Sequence, residues 1–399
     1  MRDVVARIKA FNAGREPERL ALKYRAMAKS PFAFFRGTAH LFWEDLSESR
    51  SALPDGPLVW TCGDLHLENF GSFQGDNGLA YFDLNDFDEC ALGWLAWELS
   101  RCVTSAYVAA PTLGVSVADA QQLAKAFLDA YQAALRDGKA RWVERATATG
   151  MVRTLLQRVA RRTRAVLIAK RTLVKKGRRV IRLDRHALRA TPDQRRKVKR
   201  ELDRFAKAQS DPKFFRVLDV VRRASGLGSL GVDRYLILVR GDEAGGGNVL
   251  LDAKQAVRSS LAKLEKVPQP EWKSDAERVV AIQRRMQAIS PALLQAKTIE
   301  RRGYVLRELQ PSNDRLRIED AKGKWRHLCS AAATLGQVTA WAQLRSSGRD
   351  GSAIADDLLA FAARGDWKKP LLEYARSYAK QVERDYDQFR KSVQTGERY

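Results

Sequence analysis

The sequence predicts a helix-rich α+β chain, and three observations carry that prediction. From about residue 94 to 208, and again from 275 to the end, apolar residues recur at helical spacing. Two patches, 58–89 and 215–260, switch to short β-branched and aromatic runs bounded by Gly, Asp and Asn. No internal repeat or long low-complexity linker separates them. At 399 residues the chain is long enough for two or so domains, or for one large two-lobed unit.

Taken in order, residues 1 to about 50 read as helices. There SPFAFFRGTAHLFWEDL spaces its aromatics at roughly helical intervals before the turn signal Leu53-Pro54-Asp55-Gly56. Residues 58–60 read as a short buried strand and GDLHLENFG as a loop. GLAYFDLNDFDE reads as a second strand entered from the turn Gly75-Asp76-Asn77-Gly78. From Trp94 to about Ala208 nearly everything reads as helix, with breaks at Gly150, Gly177 and Thr191-Pro192. The glycine run GLGSLG introduces a hairpin of strands 232–239 and 249–253, turned by GDEAGGGN. Helices dominate from Asp275 onward, apart from a strand at 304–309.

Charge is concentrated. The chain holds 71 Lys and Arg against 47 Asp and Glu, a net +24. Residues 139–207 hold 24 Lys or Arg against 5 Asp or Glu, so 24 − 5 = +19 of the excess falls there. Such a field favours a polyanion: nucleic acid, an anionic membrane surface or a polyphosphorylated ligand. A solvated helical surface is the plainer alternative. Trp142 is the one aromatic in the first sixty residues of the stretch, so base stacking is poorly provided for. Cys62, Cys90, Cys102 and Cys329 have neither zinc-site spacing nor the density of a disulfide framework, which fits a reducing cytoplasm. The most apolar stretch, 94–118, is broken by Glu98, Arg101 and Pro111, so no transmembrane segment is expected.

The strongest chemical signal is CGDLHLENFG. Asp64 followed five residues later by Asn69 is the spacing of a phosphotransferase catalytic loop. Asp64 would orient or take the acceptor's proton, and Asn69 would offer magnesium a side-chain oxygen, the ligand a hard cation prefers. In YFDLNDFDE, Asp83, Asp86 and Asp88 crowd the end of an apolar strand together with Glu89. Carboxylates so close repel one another without a cation, which is what a magnesium site exploits; a hydrogen-bonded Asp-rich turn is the alternative.

Gly226, Gly228 and Gly231, with Ser229 between them, form a G-x-G-x-x-G pattern flanked by strands. Glycines let backbone N–H groups approach phosphate oxygens, and the hairpin context argues for a kinase glycine loop over a dinucleotide fold. Lys254 lies in the apolar strand VLLDAKQA, where an unpaired ammonium is costly to bury; ATP phosphates and a helix glutamate are its natural partners. Glu277 is the candidate for that ion pair, with Glu271 as the alternative. YVLRELQ, followed by Pro311, reads as a hinge offering backbone groups to an adenine edge, and Glu98 as a residue that could orient the catalytic loop.

These segments resemble the bacterial family catalogued as domain of unknown function 2252. The resemblance spans most of the chain: SPFAFFRGTAHLF, CGDLHLENFG, FDLNDFDE with WLAWELSRC, GLGSLGVDRYLILVRG, LLDAKQA, RVVAIQRRMQ and YVLRELQP. Within that family the first two acidic motifs are similar to the catalytic and metal segments of aminoglycoside and choline phosphotransferases. The resemblance implies a two-lobed, protein-kinase-like fold with a circular permutation, because the catalytic loop and metal carboxylates precede the glycine loop and lysine. Three departures stand out. Cys62 replaces the usual His before Gly-Asp, Gln255 replaces an acidic residue after the lysine, and WAQLRSSGRDG lacks the family's histidine.

The expectation is therefore an ATP- and Mg2+-dependent phosphotransferase acting on an unknown acceptor. Residues 1–208 would carry the catalytic loop, metal site and basic connection, 209–311 the nucleotide lobe, and 312–399 the helices that complete the helical lobe. Two rivals stand beside it: a nucleotide-binding pseudokinase, and a polyanion- or nucleic-acid-binding scaffold acting through 139–207.

Overall fold

Local sequence chemistry sets most of the boundaries. The long helices Leu95–Leu113 and Val117–Asp137 are separated by Gly114, which takes the left-handed C-cap conformation. Ser116 then forms a reciprocal capping box with Asp119. Thr191-Pro192, expected as a break, is where a new helix starts, Pro192–Lys207: Thr191 caps the backbone N–H of Gln194 and the proline takes the first turn. The computed structural model describes residues 3–394 except 49–52, 227, 229, 243–246, 264–266, 312–313 and 322–323.

The result is a mixed helix-and-sheet protein in two parts. Helix Leu95–Leu113, buried on nearly every side, runs through the larger core. Val117–Asp137, Trp325–Ser346 and Lys368–Gln394 pack there, with the N-terminal helices. On this core sit two small sheets. One pairs Leu58–Thr61 with Ala91–Trp94; the other runs Asp314–Arg315, Phe70–Gln74, Ala80–Leu84, Val143–Glu144, all antiparallel.

The second part is a six-stranded antiparallel sheet in the order Gln295–Ile299, Arg302–Glu308, Gly247–Gln255, Arg234–Asp242, Val217–Arg223, Ala187–Arg189. Strand alternation gives it two faces. Tyr235, Ile237, Leu251 and Ala253 pack under helix Pro192–Lys207, whereas Leu236, Leu238 and Leu250 face helix Arg164–Arg171 and Ile181. The expected near-continuous helix from 94 to 208 is thus corrected. Thr172–Lys175 and Arg178–Ile181 form a hairpin turned at Lys176 and Gly177, both at positive φ, and Ala187–Arg189 joins the large sheet. No helix among the described residues is long and apolar enough to cross a membrane.

Candidate active site

The loop that carries Asp64 is fixed before it reaches solvent. Strand Leu58–Thr61 runs into Cys62 and Gly63, whose φ is +79°. A Cβ on Gly63 would lie 1.7 Å from the carbonyl oxygen of Glu89, so only glycine fits. The backbone N–H groups of Cys62 and Gly63 donate to Glu98 Oε1 at 2.6 and 3.3 Å, and Gln343 donates to Glu98 Oε2 at 3.1 Å. Burial pushes the Glu98 carboxyl up, and these hydrogen bonds oppose the shift. The geometry gives Glu98 the loop-orienting position expected of it.

One helical turn on, Arg101 holds Asp64. Its Nε and Nη2 reach Asp64 Oδ1 at 2.7 and 2.5 Å, and Nη2 also donates to the Phe35 carbonyl at 3.1 Å. The guanidinium is fully buried, 4.1 Å over the Phe35 ring. Burial raises the Asp64 pKa, Arg101 opposes the rise, and Glu89 and Asp86 add to it, leaving the group at about 7. Sequence reasoning registered Arg101 only as a charge interrupting an apolar run. The usable signal was its place three residues after Glu98 on one buried helix.

Asn69 is 2% exposed. Its Nδ2 donates to the backbone carbonyls of Asp64 and Asp86 at 3.0 and 3.2 Å, and lies 3.6 Å from Cys62 Sγ. Two carbonyl acceptors fix which end of the amide is nitrogen. The other end, Oδ1, is buried and accepts no hydrogen bond among the described residues. Such an oxygen is expensive to bury unless something meets it.

Lys254 reaches across from the large sheet to the acidic loop. Its ammonium pairs with Asp88 and lies 3.7 Å from Asp86. Desolvation in the cleft works against the Asp86 charge, but Lys254 and Arg307 hold that carboxyl below its ordinary range. Burial and the neighbouring Asp86 push Asp88 up, against Lys254. The lysine strand and the acidic loop, far apart in sequence, are thus joined at one point. Among the described residues no three His, Cys, Asp or Glu side chains form a ready-made metal cage. The Asp86 and Asp88 carboxylates, and the Asn69 Oδ1, are oxygen donors of the kind that could hold a hard cation such as magnesium.

Two expectations are corrected. Asp83 does not face this site: its Oδ2 accepts from Arg345 at 3.2 Å and from the N–H of Ala288 at 3.3 Å, and its Oδ1 from the N–H of Leu84 at 2.8 Å. The reason is strand alternation, since Asp83 lies within Ala80–Leu84 whereas Asp86 and Asp88 lie past its end. Glu277 does not pair with Lys254, because its carboxylate accepts from the N–H of Lys273 at the start of its own helix. Its neighbour Arg278 reaches the acidic loop instead, donating to the carbonyls of Asp88, Cys90 and Val257. The glycine loop is held through its carbonyls. Gly228 and Leu230 accept from Arg15 at 3.2 and 3.4 Å, Gly228 also from Lys23 at 3.4 Å, and Val232 from Arg19 at 2.6 Å. Gly226 and Gly231 hold positive φ, as a glycine turn requires, and Ser229 lies outside the described residues.

The cleft between the loop and the acidic segment is lined by Arg15, Arg36, Asp64, Asp86, Asp88 and Gly228, among others. Arg36 also pairs with buried Glu68 at 2.6 Å. Neither arginine was singled out from the sequence; Arg15 lies in the turn before helix Pro17–Met27 and Arg36 in helix Pro31–Gly37, and their role is set only by tertiary packing. Two residues before Lys254, Asp252 is boxed by Arg234, Arg223 and Arg307 at 2.5, 2.9 and 3.8 Å. These guanidinium groups hold its carboxyl far below the usual range despite burial.

Comparison with curated proteins gave no match, and comparison with solved structures gave none. A family model does match, from Arg15 through to the C-terminal helix, and so covers Asp64, Asn69, Asp86, Asp88 and Lys254 together. The chain belongs to the family described as "Uncharacterized protein conserved in bacteria (DUF2252)", matched over residues 15–392.

Proposed function

We propose that the chain is a magnesium-dependent phosphotransferase with a protein-kinase-like, circularly permuted arrangement. The observation that carries the reading is the meeting of Lys254 with Asp86 and Asp88, on the acidic loop whose Asp86 carbonyl accepts from the Asn69 amide. The order of elements supports it. Strand, glycine loop, strand, lysine strand, helix Asp275–Met286 and two further strands follow one another after the Asp64 loop, as the permutation requires. On this reading 209–311 is the nucleotide lobe, and its sheet also draws in Ala187–Arg189 and helix Pro192–Lys207; 1–208 and 312–399 otherwise supply the helical lobe.

Each residue then has a task. Asp64, near half-ionised at neutral pH, accepts the proton of the acceptor hydroxyl while Arg101 keeps it aimed. Asn69, Asp86 and Asp88 would hold magnesium, whose chemistry there would be charge neutralisation at the phosphoryl group. Lys254 exchanges its carboxylate partners for donor phosphate oxygens, and Arg15 and Arg36 add positive charge to the cleft wall. The test is consumption of γ-labelled ATP with Mg2+ by the full chain. Turnover lost in Asp64→Asn and Lys254→Met, and absent without Mg2+, is the expected result. Turnover indifferent to both substitutions would remove the assignment.

A second, accessory reading rests on the basic stretch. Lys175, Lys176 and Arg178 are exposed at the tip of the 172–181 hairpin, and Val174 is 64% exposed beside them. This is a surface fitted to a polyanion.

A further inference from the structure

A donor nucleotide has two ends, and this cleft is furnished for one of them. If Lys254 holds phosphate, as the proposed function has it, the base should lie farther along the same sheet face. That face is closed. Leu236, Leu238 and Leu250 are at most 2% exposed, packed under Leu167, Ile168 and Ile181 of the chain's own helix and hairpin. Nearer the lysine, the face carries Asp252 with Arg223, Arg234 and Arg307, guanidinium groups drawn to that carboxylate and forming no apolar pocket for a base.

Two N–H groups of the expected hinge are spent as well. The N–H of Glu308 donates to Ala292 O at 2.9 Å and that of Leu309 to Leu250 O at 2.8 Å, while Pro311 has none. Gln310 turns its side chain to the backbone of Gln74, donating at 2.6 Å and accepting at 2.8 Å. Charge, by contrast, is abundant: Lys254 and three arginines stand against Asp252, Asp86 and Asp88, with Arg15 and Arg36 across the cleft.

We infer that this site recognises the phosphate chain of its donor and not the base, so that the donor class is any magnesium-bound triphosphate or inorganic polyphosphate. This rests on the phosphotransferase reading and narrows it. The energetic basis is that charge-assisted contacts to phosphate are strong, whereas a base left in water contributes little.

Calorimetric titration of the full chain with ATP, GTP, CTP and tripolyphosphate, each with saturating Mg2+, tests it. The four dissociation constants should agree within about threefold, and Lys254→Met should weaken all of them together, by about tenfold or more. ATP binding more than about thirtyfold tighter than tripolyphosphate would overturn the inference while leaving the phosphotransferase reading intact. No binding by any of the four would overturn that reading and the inference with it.

Discussion

Replacing Arg101 with methionine isolates what sets Asp64. The substitution keeps a long apolar side chain among Phe35, Phe42 and Trp43 but removes the cation lying 2.5 to 2.7 Å from Asp64 Oδ1. Two unit charges about 4 Å apart at an effective dielectric near 20 attract by about 4 kcal/mol. At about 1.36 kcal/mol per pK unit that corresponds to a rise of two to three units, roughly, above the present value. Asp64 sits at about 7 in the native chain. Its ionised fraction at neutral pH would therefore fall from about half to about one in a hundred or less, and turnover at pH 7 by fiftyfold or more, roughly in step. In the native chain turnover should climb through pH 7 as Asp64 ionises; in the variant the midpoint should move to about 9 or above. Stability has a matching sign. A carboxyl whose folded pKa exceeds its unfolded one favours the fold below the unfolded value, and loses that advantage as pH rises through the folded value. The variant should thus weaken relative to the native chain above pH 7. Carboxyl carbon NMR shifts of labelled aspartate, followed with pH alongside turnover, read Asp64 directly. A variant midpoint that stays near 7 would refute the argument that Arg101 governs this acid.

Other consequences are quicker to state. Arg345→Met strips a buried carboxylate of its partner, so it should cost about 3 to 5 kcal/mol in denaturant unfolding. It should leave the magnesium dependence of any ligand effect unchanged; a lost magnesium response would return Asp83 to the metal site. Gly63→Ala meets the Glu89 carbonyl at 1.7 Å and a positive φ. It should destabilise the chain by about 3 kcal/mol or more, with an unaltered midpoint disproving the close approach. Converting Lys175, Lys176 and Arg178 to glutamate should weaken binding to heparin, and the difference should shrink at high salt. Equal retention at low salt would dissociate the hairpin tip from polyanion binding.

What the sequence made legible follows from how local each signal is. The Asp64-to-Asn69 spacing, the strand holding Lys254 and the glycine run are each written within about ten residues, and their elements fall where patterning puts them. The choice among Asp83, Asp86 and Asp88 was not legible. It turns on where strand Ala80–Leu84 ends, and a shift of one residue reverses the face. The partner of Lys254 was missed for a different reason: helix glutamate and loop aspartate are equally plausible by charge, and only the docking of the sheet on the helical core decides. The hairpin 172–181 was read as helix because Arg and Lys are good helix formers. Lys176-Gly177, a positive-φ pair between β-branched runs, was the turn signal that should have outweighed propensity. Arg15 and Arg36 enter the cleft from the far end of the chain, where nothing local marks them.

Ligand-dependent thermal stability reads whether Asn69, Asp86, Asp88 and Lys254, as proposed, form one phosphate-and-metal site from two separated segments. A ligand that binds only the folded chain at a hundred times its dissociation constant stabilises it by about 2.7 kcal/mol. The full chain should therefore melt higher with ATP plus Mg2+ than with either alone, and both Lys254→Ala and Asp86→Ala should abolish the increment. An increment that survives both substitutions, or none at saturating nucleotide in the native chain, would contradict the joined site.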